Sequence, residues 1–343
     1  MILVAKAINR FSVFLIFIIL FLCSCDKPHL NEYTLSGETM GTTYRIVINS
    51  KDSIDINLQS QIDSILLSFN QSMSTYIDNS EISVFNKMDK GEYLNVSNDF
   101  YHVLEKSLMY YDISKGFFDA TIDPLYKIWG FRGSDYISEP TQSQIDSVLS
   151  FVGMDNVKLS KYPSISKSHS KVKINLGAIA KGYAVDIISN YLISNNYLEH
   201  LVEIGGEIRV RTNRDYMWSV GIQNPKKLYN VIEKINIKNN SIATSGSYFN
   251  YREYLDSKSI KTHIINPITG YPLEVLDGRI SSATVISKDC IDADAIATIL
   301  MLLDKDKALD FIENTDQTEA YIIFFEKDSL NFIESSGFNQ YKN

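Results

Sequence analysis

Four short clusters of acids, hydroxyls, small residues and one lysine stand out in this chain for the chemistry they could do. Asp289-Cys-Ile-Asp-Ala-Asp-Ala-Ile-Ala-Thr298 opens a predicted helix on which Asp294 and Thr298 stand four apart and so share a face. A carboxylate and a hydroxyl side by side suit one hard cation, and oxygen donors without a His or Cys pair point to magnesium over zinc. Acids satisfying a helix dipole would explain the same residues. Asn175-Leu-Gly-Ala-Ile-Ala-Lys-Gly-Tyr-Ala-Val-Asp186 reads as strand, turn and helix start. Backbone N–H groups at such a start favour an anion, and Lys181, opposing the dipole in the first turn, asks for a negative partner; a solvated face is the plain alternative. The spacing is not that of a P-loop. Phe117-Phe-Asp-Ala-Thr-Ile-Asp-Pro-Leu125 sets Asp119 and Asp123 among apolar residues, where burial requires hydrogen bonds or a metal, and where a capping or turn role also serves. Met40-Gly-Thr-Thr-Tyr44 is a small-residue turn into a strand, either an ordinary turn or one whose Gly41 lets backbone approach a ligand.

These clusters need a frame. Alternation predicts a strand over 43–48, and helical spacing of Ile54, Leu58, Ile62, Ile65, Leu66 and Phe69 predicts a helix over 54–70. A second helix carries Phe100, Val103, Leu104, Leu108 and Tyr111, starts among Ser97 to Asp99 and stops by Gly116; a third follows Thr141. Strands are expected over 172–176, 201–211, 218–222, 231–237, 263–266, 283–287 and 320–325, and helices over 178–197 and 293–311. Long helices and many short strands without regular βαβ alternation indicate an α+β fold with a largely antiparallel sheet.

The chain has 343 residues, 45% of them hydrophobic and 22% charged, and a formal charge of −8. That is ample for a core and excludes a disordered chain; the acidic balance argues against nucleic acid, which needs clustered Lys and Arg. Lys6 and Arg10 precede a twelve-residue apolar run, Phe11 to Leu22, about 18 Å of helix against a hydrocarbon core of roughly 30 Å, which is a signal h-region and not a span. Leu22-Cys23-Ser24-Cys25 resembles a bacterial lipobox, with an ordinary secretory signal as the alternative. Residues 1–24 are then a lipoprotein signal peptide, 25–33 the lipidated Cys25 and a polar tether, and 34–343 a single domain. Cleavage lowers the charge to −10, and with Cys25 acylated by palmitate or a like chain, Cys290 has no disulfide partner.

Taken together and in order, the motifs resemble the ApbE family: Gly37-Glu-Thr-Met-Gly-Thr-Thr-Tyr44, Ser74-Thr-Tyr76, Ser80 to Asn86, the Phe-Phe-Asp run with Trp129-Gly-Phe131, and Leu176-Gly-Ala-Ile-Ala-Lys-Gly182. Glu203-Ile-Gly-Gly-Glu-Ile208, Ala243-Thr-Ser-Gly246, Thr262-His-Ile-Ile-Asn-Pro-Ile-Thr-Gly270 and Ala293-Asp-Ala-Ile-Ala-Thr298 continue it, covering roughly 35–330. The resemblance implies an ApbE-like, T-fold-related fold and an FAD:protein FMN transferase. Such an enzyme breaks the FAD pyrophosphate and joins FMN to a Thr or Ser of a target protein by a phosphodiester bond, releasing AMP.

By that resemblance Mg2+ is held by the carbonyls of Ala178 and Ala297, the carboxylate of Asp294 and the hydroxyl of Thr298. Met40, Tyr76, Phe117, Phe118, Asp119, Lys181 and Ile265 line the FAD site, with Lys181 on the pyrophosphate. The catalytic set is His263, Lys181 and Asp294. His263 is the one histidine of five inside a motif, and direct base work and substrate orientation are both open to it. Asn175 stands where many relatives carry Asp, replacing a carboxylate contact by an amide, and Ser114-Lys115-Gly116 replaces the common Thr-Gly-Gly. The expected acceptors are flavoprotein subunits of respiratory complexes, of the sodium-translocating NADH:quinone reductase or Rnf type. The expected place is the bacterial envelope, lipid-anchored, periplasm-facing and at the inner membrane. A metal-dependent FAD pyrophosphatase and a lipid-anchored FAD-binding protein are the competing functions.

Overall fold

The computed structural model describes residues 30–133, 138–248, 251–254, 259–274, 278–327 and 329–342. The signal segment and Cys25 lie outside them. Strands β1 (Asn31–Thr39) and β2 (Thr42–Ser50) form a hairpin, followed by helices α1 (Leu58–Met73) and α2 (Glu81–Lys87), strand β3 (Tyr93–Asn95) and helix α3 (Asn98–Ile113). Helices α4 (Asp123–Ile128) and α5 (Gln142–Leu149), strands β4 (Val157–Leu159) and β5 (Ser164–Lys167) and helix α6 (Ala180–Ser194) lead to β6 (His200–Ile204) and β7 (Glu207–Arg211). Seven more strands follow: β8 (Trp218–Asn224), β9 (Lys227–Ile237), β10 (Ser241–Gly246), β11 (Tyr251–Tyr254), β12 (Ser259–Ile265), β13 (Pro272–Glu274) and β14 (Ile280–Ser287). The chain closes with α7 (Cys290–Leu302), α8 (Lys305–Glu313), β15 (Glu319–Glu326) and β16 (Ser329–Glu334).

The predicted α+β class holds. One eight-stranded sheet runs β1-β2-β6-β7-β10-β14-β15-β16, and every described pairing in it is antiparallel. Helices α6 and α7 pack against each other and against its middle strands, with Ile188, Leu192, Ile296 and Leu300 in the main core. The opposite face carries a second core of Val210, Ile235, Ile286 and Ile323 beneath the β8–β9 hairpin. A strand covered on both faces loses its alternation, so every residue of β14 is buried. A third core, around Trp129 and Tyr254, joins α4 and α5 to the small β11-β12-β13 sheet.

Several boundaries differ from those predicted. β1 begins at Asn31, so the last three residues of the predicted tether belong to the sheet. Residues 172–176 form no strand: Asn86 takes up the backbone of Ile174 with its side-chain amide, at 2.7 and 3.0 Å, and the Asn175 N–H goes to the Ala120 carbonyl. The single strand predicted over 201–211 is a hairpin, because Gly205 and Gly206 both take positive φ, 61° and 105°. The helix predicted over 293–311 is two, broken where Leu303 turns extended and Asp304 starts α8. Ser97 and Thr141 cap α3 and α5 as predicted, Thr141 in a full capping box. Among the described residues no helix is long and apolar enough to cross a membrane.

Candidate active site

The β1–β2 hairpin turns on two residues, Met40 and Gly41, both at positive φ, 52° and 74°. Such a turn suits the twist of the hairpin but favours Asn or Gly at the first position, so Met40 occupies a backbone state that costs it free energy. The result is a Met side chain aimed into a cavity of about 1000 Å³. Helices α6 and α7 also line that cavity, and they start side by side. Gly182 makes this possible: a Cβ there would lie 2.3 Å from the Cys290 carbonyl oxygen. The Gly182 N–H donates to Asp294 Oδ2 at 2.9 Å, so α6 fixes the carboxylate that α7 presents.

Of the residues predicted for the site, Met40, Tyr76, Phe117, Phe118, Asp119, Asn175, Ala178, Lys181, His263, Ile265, Asp294 and Thr298 all line this one cavity. Ala297 is fully buried on α7 and is not in the wall. Tyr76, 87% exposed, stands at the rim with the Arg132 guanidinium 5.5 Å from its ring centre. Phe118 is buried and packs on Tyr110, which makes it as much core as wall. Of the described histidines only His263 reaches the cavity. His200 is a core residue between Ser189 Oγ and the Tyr197 carbonyl, pushed down to about 4 by burial and therefore neutral.

The anion that Lys181 asks for is provided by the protein. Its Nζ lies 2.9 Å from Glu207 Oε1 and 3.8 Å from Asp294 Oδ1. Burial works to lower its pKa, but Asp294 and Glu207 outweigh that and hold the ammonium above the ordinary lysine range. Burial raises both carboxylates above their usual values, with Lys181 opposing. Glu207 was not singled out from sequence; the signal was its place after the Gly-Gly turn in a matched motif, two strands across from Met40. Two of the N–H groups near the start of α6 are also spoken for, Gly182 by Asp294 and Gly177 by Asn175 Oδ1 at 2.9 Å.

Asp119 and Asp123 take the local roles their sequence allowed. Asp119 Oδ1 accepts from Thr121 N at 2.7 Å and Thr121 Oγ1 at 2.6 Å, and burial pushes its carboxyl up to about 6. Asp123 pairs with Arg132 and is hydrogen-bonded by the Asn175 side chain. A second carboxylate at 175 would face Asp123, so the amide is the residue type that fits here.

The donor set suits a hard cation. Two buried carboxylates, Asp294 and Glu207, share one ammonium, and Glu207 Oε2 is buried without a hydrogen-bond partner among the described residues. The Thr298 hydroxyl lines the same cavity, 3.3 Å from Ser245 Oγ and donating to the Asp294 backbone carbonyl at 3.4 Å. No group of three His, Cys, Asp or Glu that could hold a metal occurs among the described residues. A cation here would therefore be met by a carboxylate, a hydroxyl and backbone carbonyls, the donors that magnesium accepts.

The ApbE family model matches residues 40–322. The FAD:protein FMN transferase of Vibrio cholerae is 33% identical over 332 residues, spanning 94% of this chain and 96% of the relative. That of Escherichia coli K12 is 31% identical, spanning 94% of both chains. Among solved structures, the flavin transferase ApbE of Vibrio cholerae superimposes with a TM-score of 0.79 at 31% identity, covering 91% of this chain and 99% of that one. The apo flavinyl transferase ApbE of Pseudomonas stutzeri gives 0.81 at 25% identity, covering 92% and 98%. With the family model matching most of its length and a relative 33% identical over 94% of it, the chain belongs to the ApbE family.

Proposed function

We propose that the chain is a magnesium-dependent FAD:protein FMN transferase that joins FMN to a Thr or Ser of a target flavoprotein and releases AMP. The carrying observation is the single cavity on which twelve predicted site residues converge. At about 1000 Å³ it is at the upper end for small-molecule sites, the size a dinucleotide needs.

In the reaction the acceptor hydroxyl oxygen bonds to the FMN phosphorus while the pyrophosphate bond to AMP breaks; AMP leaves with the bonding electron pair and the hydroxyl proton passes to His263. The pyrophosphate repels an incoming oxygen, so the cavity must supply positive charge. Lys181 offers one such charge from the first turn of α6, but Glu207 and Asp294 already balance it, so the remainder would have to come from a bound cation. Met40, Tyr76 and Phe117 flank the rings. Asp294 and Thr298, with the carbonyls of Ala178 and Ala297, would hold Mg2+, which when bound neutralises phosphate oxygens. The lipobox supports anchoring through Cys25 to the periplasmic face of the inner membrane, within reach of respiratory-complex flavoproteins of the reductase or Rnf type.

The test is incubation with FAD, Mg2+ and an acceptor protein bearing the target Thr. A flavin-fluorescent band that survives denaturation is expected. Free FMN without the band would assign a pyrophosphatase, and intact bound FAD a carrier. Asp294→Ala should abolish transfer; undiminished turnover with Mg2+ would remove the cation assignment.

A further inference from the structure

Behind the cavity lies a second layer of charge that the reaction above does not use. β7 turns Glu207 and Arg209, two apart and both buried, toward the same side. Glu207 takes Lys181 in the first turn of α6, at the cavity. Arg209 reaches past it to Asp186 further along α6 and, at 3.0 Å, to Asp289 at the head of α7.

The Asp186 carboxylate is fully engaged. Besides the Arg209 guanidinium, Oδ1 accepts from the Cys290 N–H and Oδ2 from the Ile291 N–H, both at 2.9 Å. Both are first-turn donors of α7, and the second of them, at N2, is one that a helix normally satisfies with its own N-cap side chain. Here the N-cap residue, Asp289, makes no such bond and turns to Arg209 instead. The helix that presents Asp294 is thus capped from outside, by the helix that presents Lys181. Cys290 and Asp294 are one turn apart, so the cap acts directly beneath the site.

Stability alone does not account for this network. Desolvation cancels most of the attraction in a buried ion pair, and apolar side chains of similar volume often do as well or better. Position is a different matter. α7 is buried nearly all round and rich in alanine, with Ala293, Ala295 and Ala297 offering little relief against sliding. Directional bonds from the Cys290 and Ile291 N–H groups to Asp186 fix what packing of small residues leaves loose.

We propose that Asp186, held by Arg209, is a positioning residue that sets the register of α7 and so places Asp294 and Thr298 against Lys181. The inference rests on the cation reading of the proposed function, so the test reads cation binding apart from turnover. The parent, the double variant Asp186→Leu with Arg209→Met, and Arg209→Lys are compared by melting, by calorimetric titration with Mg2+ alone, and by flavin fluorescence on binding FAD without cation. The double variant should fold, bind Mg2+ at least about tenfold more weakly, and bind FAD within about threefold of the parent; Arg209→Lys should lie between. A folded double variant with parental Mg2+ affinity overturns the proposal, as does an equal loss for Mg2+ and FAD. If the double variant does not fold, Arg209→Lys decides, and unchanged Mg2+ affinity in it overturns the proposal. A parent that binds no Mg2+ removes the cation reading and this inference together, whereas a parent that binds it beside unaffected variants removes this inference alone.

Discussion

Replacing Gly182 by Ala adds one methyl group at the point where α6 and α7 touch. The added Cβ would stand 2.3 Å from the Cys290 carbonyl oxygen, 2.7 Å from its carbon and 2.8 Å from the Asp294 Cβ. Two of these are backbone and the third is the root of a side chain, so no rotamer change relieves them, and the helices must part by about 1 Å to reach ordinary contact. Overpacking of this kind costs about 1–3 kcal/mol, and opening the 2.9 Å bond from the Gly182 N–H to Asp294 costs about 1.5–3 more, while Ala in place of Gly returns about 1 in helix propensity. The net loss is about 1.5–5 kcal/mol. For a fold of about 300 residues the unfolding entropy is about 0.6 kcal/mol per kelvin, so melting falls by only about 2–8 °C. Activity falls much further, because a displacement of about 1 Å at a catalytic group is worth about a hundredfold in rate. The assay is covalent flavin fluorescence on the acceptor protein, at saturating Mg2+ and at a temperature where circular dichroism shows the variant folded. A variant with parental kcat/KM and melting within a degree would refute the reasoning that Gly182 is there for space.

Three further outcomes follow from particular residues. Met40→Asn should raise stability by about 1 kcal/mol, since Asn tolerates the positive φ that Met40 holds at 52°, and should weaken FAD binding; scanning calorimetry and flavin fluorescence check the pair of effects. Asp119 is pushed from 3.8 up to about 6 by burial, so its ionisation opposes folding: the penalty is absent below pH 3.8, grows between there and pH 6, and is complete above. Asp119→Asn keeps the acceptor oxygen for Thr121, and its melting should match the parent at pH 4 and exceed it at pH 7–8 by an amount equivalent to at most about 3 kcal/mol, which thermal melts across pH would reveal. Cys290 is fully buried and its thiol is pushed up by that burial, so protein lacking both Cys23 and Cys25 should react with a disulfide reagent only on unfolding, at one thiol per chain.

The sequence by itself carried the family, the fold class and most of the cavity. Motifs such as Ala178 to Gly182 and Asp294 to Thr298 hold their chemistry in local spacing, on one helix start or one helix face, and local spacing survives without tertiary contacts. Caps were legible for the same reason: Ser97 and Thr141 bond within three residues of themselves. What failed was long-range partnership. Alternation over 172–176 looks like a strand, yet Asn86, 88 positions before Ile174, takes that segment's hydrogen bonds. Glu207 gives no local sign that it will face Lys181, because the two meet only when the Gly205-Gly206 hairpin brings β7 beneath α6. The same holds for the cap that Asp186 places on α7 across 104 and 105 residues of chain. Residue types and their local periodicity therefore set what chemistry is available. The fold alone chose which charges share a site, since burial and ångström-scale distance decide the energy of a charge pair and neither is written in one dimension.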